Sequence, residues 1–145
     1  MKNNKNVYSK ILALVGTVLT WFPVAAPFIL GLGSLMMAGV FRFDYLMPAE
    51  LFPSALLGSL LLLWASLREH AHVKLIGWGL AVAVVLLFGG QGLAIVTGLA
   101  SGETEPTPWL MALVLVPILL YAVAIAVVGV GGILLTRDLF KQKAA

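Results

Sequence analysis

The sequence predicts an all-α, polytopic membrane protein. Four transmembrane helices form one antiparallel bundle, and the first is long and proline-kinked. Three observations predict this. Of the 145 residues, 61% are hydrophobic and only 10% are charged, against roughly 25% charged in soluble domains. The apolar residues fall in four runs of 17 residues or more, enough to cross hydrocarbon, though the second is short. The lysines and arginines gather at alternate ends of those runs.

The expected spans cover residues 11–40, 51–67, 75–100 and 109–135, and none holds an Asp, Glu, Lys or Arg. Backbone in hydrocarbon must satisfy its own hydrogen bonds, so each span is expected to be a helix. The connections Phe41–Glu50, Arg68–Lys74 and Ser101–Pro108 are short, which makes consecutive helices neighbours. No linker or low-complexity tract divides the chain, so residues 1–145 read as a single membrane domain.

The first span exceeds the membrane. A straight helix over residues 11–40 extends ~45 Å at about 1.5 Å per residue, against a hydrocarbon core of ~30 Å. Pro23 and Pro27 stand near its middle, and each removes a backbone donor. Either a kinked helix or a break past Pro27 fits that length. A signal peptide is the other reading of this end, with Val24-Ala25-Ala26 as the cleavage region. The apolar run continues to Val40, beyond the about 7–15 residues of a signal core, so cleavage is not expected. The second span starts after Pro48, with Pro53 expected in its first turn. The third carries small residues every four positions (Gly90, Ala94, Gly98), and the fourth carries Ala122, Ala126 and Gly129 on one stripe. Small residues let membrane helices approach closely, and packing inside one bundle is the expected use. A duplication of spans one and two in spans three and four is topologically allowed, but the residues do not support it.

Orientation follows from charge. Lys2, Lys5, Lys10, Arg68, Lys74, Arg137, Lys141 and Lys143 fall on one side of a four-span topology, and Arg42 falls on the other. The excess of basic residues marks the cytoplasmic face. The expectation is an integral protein of the cytoplasmic membrane with both termini inside. Trp64 and Trp78 near the inner boundary, and Trp109 near the outer one, agree with interfacial aromatic belts.

Three groups of residues could carry function. Thr17, Thr20 and Trp21 share one helix face by their spacing. With Gln91 and Tyr121 they are expected to form an intramembrane polar cluster, as interhelical glue or as a small polar cavity. The outer loop Phe41, Arg42, Phe43, Asp44 and Tyr45, with Glu50, is a candidate contact surface, since mixed aromatic and Arg surfaces favour interfaces. His70 and His72 read as solvated loop residues. Two histidines without further His or Cys do not make a zinc site.

Much chemistry is excluded. The chain has no cysteine, hence no disulfide, thiolate ligand or cysteine nucleophile. The spans lack the ionisable residue that cation-coupled transporters carry in the membrane. Asp44, Glu50, Glu103 and Glu105 match no calcium-loop spacing. No catalytic residue, cofactor or metal site is expected. The net charge of +3 belongs to the membrane-flanking basic residues, so nucleic acid is not an expected partner. The expected partners are the lipid bilayer and other membrane subunits or further copies of the chain. In architecture alone the chain resembles small four-span bacterial inner-membrane proteins. The expected role is a non-catalytic accessory or interaction subunit. The alternative is a small oligomeric channel or carrier for a small solute or lipid.

Overall fold

The computed structural model describes residues 2–39 and 48–142, with side chains for 7–39 and 51–142. It is all-helical over those residues. The elements are α1 (Lys2–Ala38), α2 (Pro48–Glu69), α3 (Val73–Val96) and α4 (Pro108–Lys141), all long and apolar enough to cross a membrane. At about 1.5 Å per residue, α2 and α3 extend ~33 and ~36 Å, close to a hydrocarbon core, whereas α1 and α4 exceed it at ~55 and ~51 Å.

The helix ends depart from the expected ones for local reasons. α1 starts at Lys2 and continues through both Pro23 and Pro27 to Ala38. α2 starts at Pro48, where a missing N–H costs nothing, so Pro53 falls in the second turn rather than the first. α3 stops at Val96, four residues short of Ala100. Thr97 caps it, and Gly98 follows at φ +73°, a left-handed conformation that ends helices. α4 opens with Thr107, whose hydroxyl accepts from the Leu110 amide, and with Pro108 in the first turn. It runs six residues past Leu135, because no glycine or proline interrupts residues 136–141 and Leu139 remains buried beside Leu135.

α1 packs on α2 and α4, and α3 packs on α4 and α2. Among the described residues no Cα of α1 lies within 8 Å of one in α3. Glycines set the seams. A β-carbon on Gly58 would stand 2.7 Å from the Thr20 backbone nitrogen and 2.9 Å from the Gly16 carbonyl oxygen, so α1 and α2 meet backbone to backbone. Along α4, Gly129 receives the Trp21 indole of α1. Gly131 receives Leu75 and Ile76 of α3, and Gly132 receives Leu62 of α2 with Thr17 of α1. One turn of α4 thus takes contacts from all three other helices. Val128 lies over Gly79, and Pro117 fits against Gly90.

The start of α1, the end of α4 and the α2–α3 loop meet at one end of the bundle. Lys10 Nζ lies 5.3 Å from the centre of the Phe140 ring. The loop is only His70-Ala71-His72, with both histidines at positive φ, a conformation His adopts more readily than most side chains. His72 Nε2 is 2.8 Å from Asp138 Oδ2 in the last turns of α4. This histidine therefore has a structural partner and is not simply solvated.

Replacing Gly58 with Ala should destabilise the bundle by about 1–3 kcal/mol, because the clashing atoms are backbone and cannot swing away. Gly33→Ala, where a β-carbon meets nothing within 4 Å, should be neutral or stabilise by up to about 1 kcal/mol through helix propensity. Denaturant-induced unfolding in detergent micelles measures both. Equal effects at the two sites would contradict the close α1–α2 approach.

Candidate functional site

The residues grouped by sequence divide into an interior set and one outward residue. Thr17 and Thr20 face the bundle from α1, as their spacing implies. Their hydroxyls are used within their own helix: Thr17 Oγ1 donates to the Ala13 carbonyl at 2.6 Å and Thr20 Oγ1 to the Gly16 carbonyl at 2.7 Å. Back-bonding of this kind satisfies a hydroxyl in hydrocarbon without a partner helix. A polar contact from Thr17 to another helix is long, 3.5 Å from Thr17 Oγ1 to Thr136 Oγ1, and Thr136 itself donates to the Gly132 carbonyl at 2.8 Å.

Trp21 and Tyr121 are a different case. The Trp21 indole packs on Gly129, and its Nε1 is buried without a hydrogen-bond partner. Tyr121 is 4% exposed, in a cluster with Ala55, Ala83, Leu87, Ala124 and Ile125, and its hydroxyl is also unpartnered. Sequence reasoning missed a third such group, the fully buried Ser59 of α2, whose Oγ has no partner either. Its position was legible in principle, because Ser59 lies four residues after buried Ala55 and three before buried Leu62, on one helical face. An unpaired buried hydroxyl or N–H costs roughly 1–3 kcal/mol.

Gln91 does not join them. It is exposed on the outward side of α3, so the structure places the amide away from Thr17, Thr20, Trp21 and Tyr121. On other sides of the helix, Gly89 and Gly92 open onto empty space, where an added β-carbon would meet nothing within 4 Å. Phe88 and Ile95 are also exposed on this helix, at 64% and 69%. Periodicity gave the depth of Gln91 in the span. It did not give its direction, because α3 is apolar on every side.

The outer contact loop, Phe41, Arg42, Phe43, Asp44 and Tyr45, lies outside the described residues, and Glu50 is described only as backbone in the first turn of α2. Among the described residues no three His, Asp or Glu side chains gather as metal ligands. Glu103 and Glu105 are exposed in the α3–α4 connection.

Tyr121→Phe removes the unpartnered hydroxyl and keeps the ring. Stability should stay constant or rise, by up to about 1–3 kcal/mol. A loss of that size in unfolding experiments would mean that the hydroxyl holds a partner.

No family model matches the chain, and no curated protein or solved structure is significantly similar to it.

Proposed function

We propose that the chain is a non-catalytic integral membrane protein acting as an interaction subunit of a membrane assembly, with the outward face of α3 around Gln91 as its contact surface. The observation that carries this reading is the exposed Gln91 between exposed Phe88 and Ile95 on one face of a helix otherwise suited to hydrocarbon. An amide facing lipid lacks the donors and acceptors it needs. A neighbouring helix supplies them, and glutamine is among the residues that bond membrane helices to one another. Phe88 and Ile95 give that helix apolar surface to pack on at either side of the amide.

Within this reading the bundle is antiparallel and α1 bends at its prolines. The contact pairs Ile76–Gly131, Gly79–Val128 and Gly90–Pro117 support antiparallel neighbours, since the α4 partner moves back as α3 advances. Pro23 and Pro27 each remove one helical donor from α1. Both termini lie in the cytoplasm of a cell whose cytoplasmic membrane holds the protein. The gathering of Lys10, Arg68, Lys74, Arg137 and Lys141 around one end supports that orientation through the positive-inside rule.

One observation favours a second reading, a small oligomeric channel or carrier. The Trp21 Nε1, Ser59 Oγ and Tyr121 hydroxyl are buried and unpartnered, as groups would be that meet a small polar solute within the bundle.

Gln91→Leu and Ser59→Ala separate the two. An interhelical bond of roughly 1 kcal/mol corresponds to about five-fold in an association constant. The interaction reading expects at least that weakening of assembly, read by quantitative co-purification from the native membrane, with the helical fold intact. Unchanged assembly would sink the interaction reading, and solute flux lost in Ser59→Ala, at one of the buried unpartnered groups, would support the channel.

A further inference from the structure

α3 carries a second outward feature near its first turns. Val73, Gly77 and Ala81 form one ridge at four-residue spacing, and Lys74 and Trp78 form the next. Together these five residues line an open groove of about 350 Å³. Gly77 is its low point, because it has no side chain. α2 closes in behind it, since a β-carbon there would lie 3.7 Å from Leu63 Cδ1. Trp78 stands 72% exposed beside the gap. Lys74 is exposed too, and among the described residues it makes no salt bridge. The first turn of α3 has no acidic residue, so no carboxylate there competes for the ammonium or repels an anion.

The depths suit one class of molecule. At about 1.5 Å per residue, Trp78 lies ~6 Å and Ala81 ~10 Å further along the helix than Lys74. A cation thus sits at the helix end, an indole at the level where tryptophan favours the interface, and an apolar trough runs on from there. We propose that this groove binds an anionic phospholipid. The Lys74 ammonium takes the headgroup phosphate, and one acyl chain lies over Gly77 and Ala81 along the Trp78 ring. A zwitterionic lipid carries its own ammonium near the phosphate, so the site discriminates by net headgroup charge. A single lysine near a membrane surface supports about a five-fold preference. The site is independent of the Gln91 contact face.

The test uses the full chain in vesicles, with Trp21, Trp64 and Trp109 replaced by Phe so that Trp78 alone reports on lipid. Brominated phosphatidylglycerol and brominated phosphatidylcholine are compared as quenchers. Phosphatidylglycerol should compete about five-fold better than its bulk share. Lys74→Gln should bring the ratio to about one, and Lys74→Arg should keep it. Gly77→Leu, which fills the groove and leaves the charge, should also abolish the preference. Arg137→Gln, on α4 and outside the groove, should not. Equal quenching by the two lipids in the parent protein overturns the proposal. So does a preference that survives Lys74→Gln or Gly77→Leu, or one that falls as far in Arg137→Gln, since general surface charge would then be the cause.

Discussion

Around Gly129, Gly131 and Gly132, α4 presents almost no side-chain volume, and each of the other three helices pushes a side chain into that gap. The rest of the bundle depends on this turn. Helices in lipid gain nothing by hiding apolar surface from one another, because the lipid is as apolar as they are. What they gain is dispersion contact, which falls off steeply with distance. A helix that gives up its side chains over one turn lets the rigid Trp21 indole, Ile76 and Leu62 reach its backbone. The Gly16–Gly58 approach does the same for α1 and α2. Buried Val128 and Leu135 flank the glycine turn and carry the packing toward the end where Lys10 meets Phe140.

Much of this architecture was legible in the residues, and the reasons are physical. Long runs without ionisable groups have few outcomes, so the four helices follow from composition and length. Their ends follow less well. Hydropathy does not register that Gly98 turns the chain out of α3. Nor does it register that charged Arg137 and Asp138 can continue α4 as far as Lys141. The face shared by Thr17, Thr20 and Trp21 was legible because helical spacing is local. The direction of Gln91 was not legible, because it depends on how α3 is rotated in the bundle, and an evenly apolar helix carries no sign of that rotation. The pairing of His72 with Asp138 joins residues 66 apart, and no local pattern announces it. The glycine turn of α4 stood in the sequence as Gly129-Val130-Gly131-Gly132. Its use by three helices at once is a tertiary fact.

The polar groups then fall into three kinds of position. Threonines 17, 20 and 136 are satisfied by their own helices and cost the interior little. Trp21, Ser59 and Tyr121 hold unpartnered atoms inside. Gln91 and Lys74 face outward on the same helix, one in its glycine-rich part and one in its first turn. α3 is thus the helix on which both the proposed contact surface and the proposed lipid groove lie.

The tie between His72 and Asp138 bears on the order in which the protein is made. Polypeptides emerge from the ribosome N-terminal end first, so the His70–His72 loop exists before the carboxylate that will hold it. The glycine turn that receives α1, α2 and α3 arrives with the same late segment. Until then the nascent chain has only the α1–α2 seam and the narrower α2–α3 contact to hold it. The final span acts as a keystone, joining a close α1–α2 pair and a loosely held α3 into one bundle.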